Sequence, residues 1–262
     1  MTKYLHGNKP QAERAIQNRA QSRVANSVSG GFESEIGRAF KDAARDYARF
    51  GSDAVIEGVL QQHNAEMKQL VENTWQRAGK LAGDRTLGAL KAYQGATIIT
   101  KSDRSDFEEI FRGFIMTEAL VRSVGLGLTT MAALRTIIRK GKEAGESVDV
   151  IASTMVSRGI LDSKYRAMMI ARTESHAAYN SARQAASEAS SLSMSKEWVS
   201  ASDGRTRDFG DGEFSHAEAD GETVGLNEMF VETGESLRFP GDPSGSGANV
   251  INCRCATVDV LN

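Results

Sequence analysis

Between Pro10 and Pro240 the chain contains no proline, and the only other one is Pro243. A prolyl residue is the strongest single bar to helix, because its ring removes an N–H and clashes with the preceding turn. Most of this chain is therefore free to be helical, and its apolar spacing says that it is. QAERAIQNRAQSRVANS reads as a polar helix ending near Gly30 and Gly31. FESEIGRAFKDAARDYARF and the long segment from Asp53 to Ala82 repeat apolar residues three and four apart, as at Val55, Val59 and Leu60, the spacing of one helix face. Phe107, Ile110, Phe111, Phe114, Ile115 and Val121 form a further stripe. Thr129 or Thr130 is expected to cap a helix through MAALRTIIRKGKEAG. Ser147, with Asp149 in the first turn, should open the next helix and Gly159 should close it. A last long helix is expected from about Asp162.

After that helix the pattern changes. KEWVS, EMFVETGESLRF and NVINCRCATVDVL are strand-like runs separated by Gly, Asp and Ser clusters. The expected fold class is α+β: a mostly helical N-terminal region, then a small C-terminal α+β domain with a short, irregular sheet.

Charge is divided along the same line. From Ser200 onward four basic residues face twelve acidic ones, a net −8; the preceding residues carry 28 basic against 22 acidic, a net +6. In residues 1–30, Lys3, Lys9, Arg14, Arg19 and Arg23 stand against Glu13 alone. Lys9, Arg14, Arg19 and Arg23 are thus candidate contacts to nucleic acid or to an acidic protein face, or else an ordinary solvated surface. The N-terminus lacks the apolar run of a signal peptide, and no window is expected to reach a membrane span of roughly 18 apolar residues. With two cysteines in the chain, a disulfide scaffold is not expected. The expectation is a soluble protein made in a reducing cytoplasm.

Those two cysteines, Cys253 and Cys255, lie one residue apart near the C-terminus. In a strand, residues i and i+2 face the same way, so both sulfurs would share a side and Arg254 would point opposite. A disulfide across so short a loop is strained. Two thiolates on one face are half of a tetrahedral zinc site, with His216 as third ligand and Asp220 or Asp203 as fourth. The alternative is two small buried side chains that simply pack, and the spacing leaves both open. On a helical ARTESHAAYN, Arg172, His176, Tyr179 and Arg183 share one face and Glu174, Ala178 and Ala182 another. Glu174 beside small residues suggests a buried carboxylate bonded to backbone or to an arginine such as Arg205. Asp203, Arg205 and Arg207 sit in a turn, where alternation would put both arginines on one side. PGDPSGSG and GKEAGES lack the Lys-Ser/Thr ending of a phosphate-binding loop, so nucleotide hydrolysis has no support.

Four blocks occur in fixed order: IARTESHAAYN, KEWVSASDGRTR, HAEADG and FPGDPSGSGANVINCRC. Together they resemble the phage Mu F-like minor head protein family, also called the phage head morphogenesis domain, over roughly residues 150–258. The motif positions are Arg172, Glu174, Asn180, Trp198, Asp203, Arg205, Arg207, Asn252 and Arg254. The resemblance implies a minor head component of a tailed phage, in several copies near the portal, at the vertex or inside the capsid after assembly in the host cytoplasm. Its implied partners are the portal protein, other head proteins and packaged double-stranded DNA, with no membrane. The expected division is a helical docking and assembly region, residues 1–145, and a Mu F-like domain, residues 146–262, compact enough to fold alone. Two other functions compete: a DNA-binding protein ejected with the genome, and an enzyme resembling ADP-ribosyltransferases or nucleases. In toxin-bearing relatives the effector lies beyond the Cys-Arg-Cys block; seven residues follow Cys255 here, so no effector and no enzymatic activity are expected.

Overall fold

In a computed structural model the chain is described over residues 3–95, 100–190, 192–210 and 212–262, with Ala119 and Leu120 as backbone only. Four long helices dominate: α1 (Pro10–Phe50), α2 (Val55–Tyr93), α3 (Lys101–Glu143) and α4 (Val148–Glu188). Strand β1 (Lys3–Tyr4) precedes them, and β2 (Met194–Val199), β3 (Thr223–Gly225), the single turn α5 (Gly247–Val250) and β4 (Ala256–Leu261) follow. The strands form one antiparallel sheet in the order β1-β4-β2-β3. The α+β architecture is the one the sequence pattern implies, but β1 and β3 were not legible in it. EMFVETGESLRF contributes one bridge, Phe230 to Leu237, and is not a strand of the sheet.

Three expected helix breaks are absent, and each has a physical reason. Gly31 lies inside α1, where a Cβ would sit 2.8 Å from Leu70 Cδ2; Gly159 lies inside α4, where a Cβ would sit 2.5 Å from Phe40 Cβ. These glycines permit close packing and do not end a helix. Thr129 and Thr130 donate their hydroxyls to the Leu126 carbonyl at 2.9 and 3.0 Å, a bond made from within a helix. The cap at Ser147 is present: its hydroxyl accepts the Val150 N–H at 3.4 Å. Among the described helices, α3 is long and apolar enough by length and composition to cross a membrane, which corrects the expectation that no window approaches a span.

The chain gathers into two compact units. One comprises Met1–Val24, Thr74–Met116 and Arg172–Asn262; the other comprises Ala25–Asn73 and Thr117–Ala171. The second unit is wholly helical, with Phe32, Ile36, Phe40, Tyr47, Ile56, Val71, Leu134, Ile138 and Met155 in its core. A charged cluster is buried there too: His63 meets Glu35 through Nδ1 and Asp42, at 3.0 Å, through Nε2.

The first unit contains the sheet, and its packing runs across the 145/146 boundary read from the sequence. β1 pairs with β4. Buried Glu13 accepts two hydrogen bonds from Arg85, at 3.2 and 2.6 Å; burial works against its charge, but those bonds, with others nearby, hold its carboxyl below the usual range. Gln17 and Asn18 donate to the Thr257 and Arg254 carbonyls at 3.1 and 3.2 Å. Nor is the Phe stripe free for a partner. Phe107 and Phe111 stack on each other against Gly83 and Gly79 of α2, Phe111 also stacks on Trp75, and Phe114 meets the edge of Phe239. Residues 172–262 thus share one compact unit with two earlier segments, Met1–Val24 and Thr74–Met116.

Lys196 on β2 is fully buried; its ammonium donates to the Arg238 carbonyl at 2.8 Å and lies 5.3 Å over the Phe230 ring. Burial, with the charge of nearby Arg183, pushes it down to about 8 from 10.5. Between those values the unfolded chain binds more protons than the folded one, so this group makes stability rise as pH increases through that window. Lys196→Met is expected to remove that rise, checked by urea unfolding of both proteins from pH 7 to 10.

Candidate metal centre

The centre is built by the turn after β2 and the chain entering β4. β2 ends in a reversal whose Ser202 has a φ of 49°. There Asp203 accepts the Arg205 N–H at 3.0 Å and is clamped by both terminal nitrogens of Arg254, Nη2 at 2.8 Å. The segment DFGDGEFS then leaves and returns to one point, because His216 and Ala217 both donate their N–H to the Arg207 carbonyl at 2.9 and 3.1 Å. Those two bonds tie the His216 backbone to Arg207. The Arg207 side chain donates to the Ala248 and Ile251 carbonyls at 2.8 and 2.6 Å, holding the end of α5. Next comes Asn252, with a φ of 57°. Asparagine tolerates this left-handed conformation at a helix end better than most residues. Its N–H donates to the Thr173 hydroxyl at 3.2 Å.

The turn sends Cys253 and Cys255 inward and Arg254 toward Asp203. The cysteines precede β4 and do not lie in it, yet the expected sidedness holds. His216 Nδ1 lies 3.3 Å from Cys255 Sγ and 3.6 Å from Cys253 Sγ, and the three ligand atoms lie within 4.8 Å of one another. All three residues are buried. A tetrahedral zinc ion with ordinary bond lengths would set N···S at about 3.6 Å and S···S at about 3.8 Å. The trio fits such an ion in both donor type and spacing, and can hold a metal.

The surroundings are apolar: Trp198, Ala219, Phe230, Leu237 and Val250 pack with the two cysteines. The edge of Trp198 meets the imidazole at 5.3 Å between ring centroids. Burial pushes the Cys255 thiol well above its usual range. Burial opposes ionisation of Cys253 too, but hydrogen bonds from Cys255 and the charges of Arg207 and Arg254 outweigh it and hold that thiol lower.

Behind the imidazole is a polar chain. His216 Nε2 lies 2.7 Å from Asn249 Oδ1, and Asn249 Nδ2 donates to Glu235 Oε2 at 3.1 Å. Neither Asn249 nor Glu235 stood out in the sequence. Asn249 has a signal in retrospect, four residues before Cys253 in the Asn-Cys-Arg-Cys block; Glu235 has none.

The structure does not bring the proposed fourth ligands to the centre. Asp220 is exposed and accepts the Ser200 N–H at 2.7 Å; Asp203 is taken up by Arg254. Glu174 is buried as expected, but its partner is the indole N–H of Trp75 at 2.9 Å and not Arg205. Arg205 is exposed, 3.8 Å from Asp203. It does not share a strand face with Arg207, because β2 has already ended. Asn180 donates to the Pro240 carbonyl at 2.9 Å, Trp198 is in the core, and Arg172 is exposed on α4. Among the basic residues of α1 and its approach, Lys9, Arg19 and Arg23 are exposed, while Arg14 is half-buried and tied to Gln11 at 2.8 Å.

No curated protein and no solved structure matches the chain. One family model does, that of "Phage Mu protein F like protein", over residues 132–258. The match begins inside α3, earlier than the motifs alone indicated, and takes in the whole candidate centre. Over residues 132–258 the chain is therefore similar to the phage Mu F-like family, which supports a head morphogenesis domain there.

Proposed function

We propose that the protein is a minor head component of a tailed bacteriophage. On this reading it sits in several copies at or near the portal vertex, on the capsid interior, and serves head assembly and DNA packaging or delivery. It acts by binding the portal protein and other head proteins, not by catalysis. The observation that carries the docking role is a set of exposed large apolar side chains on the two helices α3 and α4 of the helical unit. Val121, Val124 and Leu128 of α3 and Ile160, Leu161 and Tyr165 of α4 are 46–72% exposed, whereas most monomers scatter such residues singly. α3 and α4 are in contact, since Arg166 donates to Thr129 and Thr130 at 3.2 Å. Replacing Leu128, Leu161 and Tyr165 by serine is expected to leave melting unchanged and to reduce incorporation into heads roughly tenfold, the effect of losing about 1.4 kcal/mol at an interface. Wild-type incorporation of a folded triple variant, measured by co-sedimentation with procapsids, tells against this surface.

Zinc, held by His216, Cys253 and Cys255, is the proposed ion of the centre. When bound it would supply cross-linking of the last strand to the turn after β2, a structural and not a catalytic part, in keeping with the burial of all three ligands. Purified protein is expected to contain about one equivalent of zinc, because the trio makes a single site. Cys253→Ser should lower the melting temperature and release the metal together. Metal-free wild-type protein that melts no differently after zinc addition leaves plain packing as the account of the cysteines.

The exposed Lys9, Arg19 and Arg23 support a second reading, contact with packaged duplex DNA by a protein ejected with the genome. Arg19→Glu with Arg23→Glu should weaken binding to duplex DNA and reduce the dependence of log affinity on log salt by about 2. An unchanged salt slope in a filter-binding titration removes these residues from any DNA contact.

A further inference from the structure

The candidate centre has a built-in device for presenting one nitrogen of its histidine, and it lies in residues outside the His216, Cys253 and Cys255 trio. An asparagine side chain has two ends, a carbonyl that accepts and an amide that donates. At Asn249 the amide end is committed: Nδ2 donates to Glu235 Oε2 at 3.1 Å, and a carboxylate can only accept. The carbonyl end is left facing His216 Nε2 at 2.7 Å. A carbonyl oxygen cannot donate, so Nε2 must carry the ring proton. In the neutral imidazole the lone pair is then on Nδ1, the atom 3.3 and 3.6 Å from the two sulfurs. Asn249 is fully buried, so no solvent competes for either of its ends.

Glu235 is itself held in place. Its carboxylate accepts the Ser246 N–H at 3.0 and 3.1 Å and the Ser246 hydroxyl at 3.2 Å, as well as the Asn249 amide. The two backbone bonds between Phe230 and Leu237, at 2.8 and 2.9 Å, close the turn that carries it. The relay thus runs from an acidic turn, through a buried amide, to the imidazole and the thiol pair.

We infer that Glu235 and Asn249 are positioning residues that lock His216 in the Nε2–H tautomer, so that Nδ1 is its metal-ligating atom. The inference rests on the zinc reading of the centre and adds to it the outer residues that set its affinity. Outer partners of this kind orient a ligating histidine and raise its basicity, and their loss typically costs 10–100-fold in metal affinity. The design also couples ion occupancy to the turn at residues 230–237, since a bound ion favours the ring orientation that Asn249 and Glu235 support.

The test uses the full chain, with zinc affinity measured by chelator competition and the His216 tautomer read from imidazole ¹⁵N shifts of metal-free protein. Wild type should show Nε2–H. Asn249→Ala and Glu235→Ala should each weaken zinc binding roughly 10–100-fold and give mixed tautomers. Glu235→Gln should restore most of the affinity, because its amide carbonyl can still accept from Asn249. That conservative variant keeps the test sound if an alanine variant misfolds. An Nδ1–H tautomer in the wild type overturns the inference, and so does wild-type affinity in a folded Asn249→Ala protein. Wild-type protein that binds no zinc removes the ligand role, while its tautomer still decides whether the relay orients the ring.

Discussion

A buried helix that is rich in polar side chains gains by finding partners for them, and that constraint organises the sheet-bearing unit. From Thr173 to Ser187 every residue of α4 is buried. Alanines at 177, 178, 182, 185 and 186 let neighbouring segments approach closely, and the polar side chains between them fix which segments those are. Trp75 donates to Glu174, Gln21 meets His176 at 3.0 Å, Asn180 holds the Pro240 carbonyl and Gln184 holds the Leu226 carbonyl at 2.8 Å. Ser187 and Arg183 meet Asp259 of β4 at 3.1 and 2.8 Å. An unpaired buried polar group costs a few kcal/mol, about as much as a large core truncation. Each of these bonds therefore specifies a neighbour that apolar packing alone would leave interchangeable.

That arrangement is what sets the trio of His216, Cys253 and Cys255 in place. Thr173 accepts the N–H of Asn252 at the reversal before Cys253, and His176 packs so closely on Gly241 that a Cβ there would sit 2.5 Å from the ring. Gly241 also has a φ of 78°, a conformation that side chains rarely adopt. The loop from Phe239 to Asn252 is thus pinned to α4 at both ends before the cysteines are reached. The candidate centre then needs only the Arg207–His216 closure from the other side. The ring of contacts explains why a motif made of four separated blocks belongs to one site: the blocks are the points at which the helix, the turn after β2 and the entry to β4 touch.

The sequence conveyed composition and period well and partners poorly. Helix content, the shift to strands after residue 190 and the shared side of Cys253 and Cys255 follow from spacing, which is local. Helix lengths did not follow. A glycine reads as a stop until the residue it admits is known, and Leu70 and Phe40 lie far in sequence from Gly31 and Gly159. Glu174 was rightly expected to be buried, but the choice between an arginine and an indole as its partner is made by tertiary packing that no spacing encodes. Asp220 and Asp203 were plausible ligands by residue type and were claimed instead by a backbone N–H and by Arg254. Asn249 and Glu235 were missed because their roles depend on each other across a loop.

The loop between Arg207 and His216 is joined to the centre through one backbone point. Both His216 and Ala217 return to a single carbonyl, that of Arg207. Loop closure entropy rises only slowly with length, by about 0.6 kcal/mol per doubling, and the segment lies at the surface, with Asp208 and Phe209 exposed. Changes there act on whatever the exposed acidic and aromatic side chains meet. Changes at Arg207, Asn249 or Asn252 act on the centre itself. The fold thus separates an exposed loop from the buried anchor of the last strand of the sheet.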